Sequence, residues 1–307
     1  MTKVLIATEK PFAPIAVQGI REVVEEAGFE LGLLENYTTK EELLAGVADA
    51  DAIIIRSDKA DKDVIEAAKN LKIIVRAGAG YDNVDLQACT SKGVVAMNTP
   101  GQNSNAVAEL AMGMMTYYAR GFFNGKSGSE LKGKSLGIHA YGYVGKNVAR
   151  IAKGFGMDVY AYDPFIPREE IEKDGVTWVE TVEELYKKCR YISLHIPANA
   201  QTKGSINYAL LSLMPKKGVL VNTARAEVIN EADLLKIFTD RDDLGYLSDV
   251  APSNLANFQE NYSSRIFCTP KKMGAQTQEA NVNAGIAAAK QIVACLLHGD
   301  KTCQVNK

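Results

Sequence analysis

The stretch Ser135-Leu136-Gly137-Ile138-His139-Ala140-Tyr141-Gly142-Tyr143-Val144-Gly145 decides how this chain folds. Its apolar run, 135–138, passes without a linker into a glycine-bearing turn, and apolar residues then recur at helical spacing over 144–155. Asp158-Val159-Tyr160-Ala161-Tyr162 reads as a second strand and ends at Asp163, eighteen positions after Gly145. Strand, turn, helix, strand and terminal acid together make the layout of a dinucleotide-binding unit. Gly142 lets the backbone approach a pyrophosphate, and Gly145 lets the helix sit close to the strand. The unpaired N–H groups of the helix start face the negative charge, and Asp163 accepts hydrogen bonds from the adenosine ribose. One position departs from the pattern, because Ala140 stands where the first glycine ordinarily makes the turn.

On the N-terminal side, β-like runs alternate with amphipathic helices. Val4-Leu5-Ile6-Ala7, Ala52-Ile53-Ile54-Ile55, Leu71-Lys72-Ile73-Ile74-Val75 and Val94-Val95-Ala96-Met97 are strands, with helices expected over 15–27, 64–68 and 85–92. Thr39-x-x-Glu42 and Thr181-x-x-Glu184 are capping boxes. Residues 105–123 form one long helix, apolar around most of its girth, which must be buried between domains or in a subunit interface. Past Asp163 the strands resume at Tyr191-Ile192-Ser193-Leu194, Gly218-Val219-Leu220-Val221, residues 244–247 and Ile266-Phe267-Cys268. A helix over 278–297 and a short strand at 302–305 close the chain. The fold class is therefore α/β, with two Rossmann-like, doubly wound parallel sheets. Arg56, residues 78–80, Asp163, His195, Arg225, Asp249 and Lys272 all follow expected strands. Ligands bind at that edge of open α/β sheets, so these residues predict one cleft between two domains.

Composition excludes other classes. At 307 residues the chain accommodates two cores, and a formal charge of −2 offers no footprint for nucleic acid. No apolar run is read as a membrane span, and the immediate entry into 4–7 leaves no room for a signal peptide. Five cysteines without a C-x-x-C pair suit a reducing, cytoplasmic setting and argue against a metal site.

The chain resembles the D-2-hydroxyacid dehydrogenase family over its whole length. The residues that carry the resemblance are Arg56-Ser57, Val75-Arg76-Ala77-Gly78-Ala79-Gly80-Tyr81-Asp82-Asn83-Val84-Asp85, Met97-Asn98-Thr99-Pro100, Ala108-Glu109-Leu110, Asn222-Thr223-Ala224-Arg225, Ser248-Asp249-Val250 and Val305-Asn306. The second and third favour the phosphoglycerate branch. The resemblance implies oxidation of D-3-phosphoglycerate to 3-phosphohydroxypyruvate with NAD, in serine biosynthesis. It implies a substrate-binding domain over 1–99, completed by 276–307, and an NAD-binding domain over 100–275 that dimerises. It also implies a short form without the regulatory domain of serine-inhibited relatives, since the sequence stops at Lys307. Arg225 takes the family's role of holding substrate carboxylate and carbonyl. The Ala79 and Gly80 amides bind the carboxylate, and Arg56 with Ser57 faces the phosphate. Gly142, Tyr143, Val144, Gly145, Asp163, His195, Ile196, Thr223, Ala224, Asp249 and Gly274 are the expected cofactor contacts.

The family's proton-transfer pair, a histidine after Thr-Pro and a glutamate after Asp-Val, is absent. Asn254 occupies the glutamate position, and Lys271-Lys272 replace the histidine with one residue inserted. Alignment from the Gly274 side assigns the general base to Lys272, and alignment from Thr269-Pro270 assigns it to Lys271. The remaining histidines do not restore the pair: His139 is a core residue and His298 closes a helix. Two alternatives stand beside this reading, a dehydrogenase or reductase for another D-2-hydroxyacid, and a non-catalytic NAD(H)-binding module like the corepressors of the same family.

Overall fold

The computed structural model describes residues 1–306; Lys307, the last of the expected closing segment, lies outside the described residues. The chain divides into two compact units, Met1–Asn103 with Gln276–Lys307, and Ser104–Ala275. In the first, β1 (Lys3–Thr8), β2 (Glu30–Glu35), β3 (Ala52–Ile55), β4 (Ile73–Arg76) and β5 (Val95–Asn98) form a parallel sheet of order β2-β1-β3-β4-β5. In the second, β6 (Ser135–His139), β7 (Asp158–Tyr162), β8 (Thr177–Trp178), β9 (Tyr191–Leu194), β10 (Val219–Asn222), β11 (Gly245–Ser248) and β12 (Ile266–Cys268) form a parallel sheet of order β12-β11-β10-β9-β6-β7-β8. Every residue of β3, β9 and β10 is buried, as expected of strands covered by helices on both faces. Strand order reverses between β1 and β3 and again between β6 and β9. At such points the turns leave each other at opposite faces and open a crevice.

Three local expectations change. The long helix ends earlier than its composition suggests, at Ser104–Ala119, and a separate turn, Gly121–Phe123, follows. Gly121, Phe122 and Phe123 all take positive φ, which no helix continues. One side of this helix is buried within its own unit, where Ala108, Ala111, Met112, Met114 and Met115 join the core of Val148, Ala149 and Leu136. At the C-terminus the strand expected over 302–305 reduces to an isolated antiparallel bridge between Met97 and Gln304. Val305 N–H on the Ala96 carbonyl at 2.8 Å and Asn306 Oδ1 under the Ala96 N–H at 2.8 Å complete it.

The reading that no apolar run has spanning length also needs correction. The helix Gln278–His298 has 21 residues and a mean hydropathy of 1.3, long and apolar enough to cross a bilayer. Here it is a packed helix of the first unit. A Cβ on Gly19 of the helix Pro14–Glu26 would lie 2.6 Å from Ile286, and Ala288, Ala289 and Ile292 are fully buried with Ile6 and Ile20. Close approach over small residues suits its alanine-rich composition.

Both capping boxes form, with a shift in the return contact. Thr39 and Thr181 accept from the Glu42 and Glu184 amides at 3.2 and 3.1 Å. The glutamates reach back one residue further, to the amides of Thr38 and Glu180.

Candidate active site

The first unit gathers its candidate residues at the carboxyl ends of β3 and β4, which pair with Ile55 opposite Arg76. Arg56 follows β3 and is half-buried rather than solvated. Its guanidinium donates to the Lys10 and Pro11 carbonyls at 3.1 and 3.0 Å and to Asn281 Oδ1 at 2.9 Å, and lies 5.0 Å over the Phe12 ring. Burial lowers its pKa from an ordinary value far above neutrality, so the charge persists. Ser57 beside it is exposed. After β4, Gly78 is required by a neighbour: a Cβ there would fall 1.5 Å from an Arg76 guanidinium nitrogen. Arg76 in turn donates from Nε to the Arg56 carbonyl at 3.0 Å. Asn98 Nδ2 holds the Ala79 carbonyl at 2.6 Å, and the Ala79 and Gly80 amides donate to no group among the described residues. Two adjacent arginines and two unengaged amides can receive a small polyanion.

Sequence reasoning gives no role to Asp58 or to the Arg76 side chain. Asp58 is 5% exposed and accepts from the Glu9 amide at 2.6 Å, the Arg56 amide at 3.0 Å and the Tyr37 hydroxyl at 2.9 Å. It fixes the backbone that carries Arg56, and burial together with its charge raises the Tyr37 pKa. Nothing in the local sequence marks such a hub, because its three donors come from three separate segments.

In the second unit the glycine turn bridges β6 and the helix Tyr143–Gly154. Ala140 adopts φ +81, the left-handed region that the missing glycine would enter freely. For an L-residue this costs about 1–2 kcal/mol. Gly145 is needed for contact, since a Cβ would sit 2.4 Å from the Ala140 carbonyl oxygen and 2.9 Å from Ile138. Gly142 is different. A Cβ there meets nothing within 4 Å, and as N-cap it supplies no side chain to the helix start, whose first turn holds no acidic residue. The Tyr143, Val144 and Gly145 N–H groups therefore point their partial positive charge outward, toward any anion seated on the turn. Tyr143 is 62% exposed. Asp163 follows β7 and accepts from the Tyr141, Phe165 and Ile166 amides at 2.7, 2.8 and 3.2 Å. Three bonds on a carboxylate leave one lone pair for a hydroxyl.

The next strand ends continue this edge. His195 follows β9, its amide on the His139 carbonyl at 2.9 Å, and its Nε2 is covered with no partner among the described residues. Burial pushes its pKa down to about 3, with His139 acting the same way, so the ring is neutral. His139 is core as expected, 9% exposed between Tyr162 and Tyr186. Ile196 packs into the core, and so does Ala224 after β10. Thr223 Oγ1 is a second covered atom without a partner among the described residues. Asn222 shapes this turn, accepting from the Ala224 amide at 3.0 Å and donating to the Arg225 carbonyl at 2.9 Å. Arg225 leaves it in extended conformation, half-buried, with Nη1 on the Ala224 carbonyl at 2.9 Å.

Asp249, after β11, is 2% exposed and engaged within the protein. It accepts from Thr269 Oγ1 and from the Met273 and Gly274 amides, each at 2.8 Å. A Cβ on Gly274 would approach that carboxylate to 3.0 Å. The carboxylate thus pins both ends of the loop that presents Lys271 and Lys272, which are exposed. Asn254 is the N-cap of the helix Leu255–Tyr262, and its covered Oδ1 has no partner among the described residues.

These residues fit NAD. An uncapped helix start suits the pyrophosphate, Asp163 keeps a lone pair for ribose, and His195 Nε2 and Thr223 Oγ1 are covered polar atoms awaiting partners.

The model of the D-isomer specific 2-hydroxyacid dehydrogenase, NAD binding domain, matches residues 101–270. The NAD+-bound 3-phosphoglycerate dehydrogenase of Entamoeba histolytica is 49% identical with a TM-score of 0.87, covering 100% of this chain and 99% of that one. The D-3-phosphoglycerate dehydrogenase of Methanocaldococcus jannaschii is 37% identical across 95% of this chain but only 57% of its own length. A hydroxypyruvate reductase of Thermotoga maritima is 35% identical over 86% of this chain and 90% of its own. The chain spans little more than half the length of several curated relatives that it matches. It belongs to the D-isomer specific 2-hydroxyacid dehydrogenase family, whose NAD-binding domain it carries.

Proposed function

We propose that the protein oxidises D-3-phosphoglycerate to 3-phosphohydroxypyruvate with NAD, reversibly, as a step toward serine. The observation that carries this reading is end-to-end similarity to an NAD+-bound 3-phosphoglycerate dehydrogenase at 49% identity. Two arginines at the carboxyl ends of β3 and β4 support a phosphorylated substrate, with Arg56 reading the phosphate beside Ser57. The Ala79 and Gly80 amides receive the carboxylate. Arg225 orients carboxylate and carbonyl, because its planar fork binds paired oxygens and stays charged. Gly142, Tyr143, Val144, Gly145, Asp163, His195, Ile196, Thr223, Ala224 and Gly274 hold NAD, and Asp249 acts through the loop it fixes. Bound NAD supplies the hydride acceptor.

Lys272 takes the hydroxyl proton onto Nζ as C2 loses hydride. An ordinary lysine titrates near about 10.4, and a carboxylate partner would raise that value. Asn254 stands at the sequence position where the family carries that carboxylate. Homodimerisation through the second unit belongs to the same reading, supported by the aromatic cluster of Tyr117, Phe122 and Phe123, the last 67% exposed. So does a cytoplasmic location.

A second reading, reduction of an unphosphorylated 2-keto acid, has the Thermotoga maritima relative behind it. Steady-state turnover of NADH with 3-phosphohydroxypyruvate and with hydroxypyruvate separates the two. Lys272→Ala lowers kcat by about 10²–10⁴-fold with NADH affinity unchanged, while Lys271→Ala stays within a few-fold. The opposite pattern moves the base to Lys271. Asn254→Glu shifts the pH–rate profile of oxidation to higher pH.

A further inference from the structure

Ala140 holds a strained conformation at the point where the nucleotide seat is formed, so something must keep it there. Its own amide donates to the Tyr162 carbonyl at 2.9 Å, and the next amide, of Tyr141, donates to Asp163 at 2.7 Å. The Tyr141 side chain turns away from that edge. The ring is 0% exposed, packed with Val148, Ala149 and Ile171, and its hydroxyl lies 3.0 Å from Asp174 Oδ2. Asp174 is itself anchored. It caps the short helix Arg168–Lys173 with its amide 3.2 Å from the Ile171 carbonyl, and Gly175 N–H returns to the Glu172 carbonyl at 2.8 Å. The Lys153 ammonium donates to the Asp174 carbonyl. Lys146 pairs with Glu170 and lies 5.9 Å over the Tyr141 ring.

These contacts close a circuit. It runs from the turn through the phenol to Asp174, then by Lys153 into the last turn of the helix Tyr143–Gly154, and along that helix back to the turn. We infer that the Tyr141 hydroxyl and Asp174 form a latch that holds the Ala140 turn in the shape that seats NAD, making Tyr141 a positioning residue for the cofactor. The inference rests on NAD binding alone and not on the substrate. Without the latch, Ala140 relaxes toward negative φ. That rotation carries the Tyr141 amide off Asp163 and tilts the first-turn N–H groups away from the pyrophosphate. Apparent affinity then falls in proportion to the population of the competent turn. A glycine in place of Ala140 enters the left-handed region without strain, so a chain with glycine there has no use for the latch.

The test is a double-mutant cycle read by NADH fluorescence titration, with thermal melting of each protein alongside. Tyr141→Phe deletes only the hydroxyl and weakens NADH binding by about 2- to 10-fold. Ala140→Gly alone binds at least as tightly as the parent, and Tyr141→Phe in that background changes the dissociation constant by less than about 2-fold. Asp174→Ala reproduces Tyr141→Phe, whereas Asp174→Asn, which keeps an acceptor oxygen, retains parental affinity. Equal losses from Tyr141→Phe in the parent and in the Ala140→Gly background would assign the phenol to general packing and overturn the latch. Parental affinity in both Tyr141→Phe and Asp174→Ala would overturn it as well.

Discussion

Gly145→Ala gives a sharp test of how the turn and the helix share space. The new Cβ lies 2.4 Å from the Ala140 carbonyl oxygen and 2.9 Å from Ile138 Cγ2. Ordinary contact for such pairs begins near 3.4 Å, so roughly 0.5–1 Å must be found, and overpacking of this kind costs about 1–3 kcal/mol. Ala140 is already strained at φ +81, so the helix retreats rather than the turn. A retreat of about 1 Å takes an N–H···O contact of about 2.9 Å beyond hydrogen-bond range. Losing one bond to a charged phosphate oxygen costs about 1.5–3 kcal/mol, or roughly 10- to 150-fold in the NADH dissociation constant. Thermal stability moves less, because alanine gains about 1 kcal/mol of helix propensity over glycine, leaving a net loss of about 0–2 kcal/mol. Gly154→Ala is the control, in the same helix with nothing within 4 Å of its Cβ. Fluorescence titration of both variants with NADH decides the matter. Binding by Gly145→Ala within about 2-fold of the parent refutes the reasoning.

Acid should weaken the second unit through its buried histidines. Burial lowers the His139 pKa to about 4, against an opposing pull from Asp163, so the unfolded chain takes up this proton near about 6.5 and the folded chain does not. Stability is therefore full above that pH and declines by about 1.4 kcal/mol per unit as pH falls toward about 4. His139→Asn should flatten the urea-midpoint curve between about pH 6.5 and 4.5, and an unchanged slope removes His139 as the cause. Arg56→Ala should impair 3-phosphohydroxypyruvate far more than hydroxypyruvate in kcat/KM; because Arg56 also ties Asn281 and the Lys10 and Pro11 carbonyls, melting of the variant is measured in parallel. Equal losses on both substrates reduce it to a brace. NAD should exceed NADP by about 10²-fold or more in kcat/KM, since a 2′-phosphate meets the Asp163 carboxylate; comparable values displace Asp163 from the ribose.

The parts legible in the sequence are those whose cause is local. Ile53-Ile54-Ile55 and Leu220-Val221 announce buried strands, and Gly142, Gly145 and Asp163 lie at spacings set by one strand, one turn and one helix. β2 escapes such a reading because Glu30-Leu31-Gly32-Leu33-Leu34-Glu35 is a half-exposed edge strand with acids at both ends. The helix Leu255–Tyr262 escapes it because Phe258 is its only buried residue. Asp58, Asp249 and the Tyr141–Asp174 contact are hidden for another reason. Each joins segments tens of residues apart, so its meaning exists only after the sheet has ordered the strand ends.

The division of the first unit into two stretches of chain bears on how the molecule is made. Ser104–Ala275 is continuous and its contacts are complete as soon as it has left the ribosome. The preceding hundred residues are not. Gly19 and Ile20 wait for Gly285 and Ile286, and Ala96 waits for Val305 and Asn306. Arg56 meets Asn281 across 225 positions of sequence. During synthesis this first third of the chain is left with part of a sheet face uncovered while an entire domain is translated, a long interval for a set of apolar strands. The first unit can thus be completed only after the second has been made, and the arginine proposed to read the phosphate gains its Asn281 partner only then.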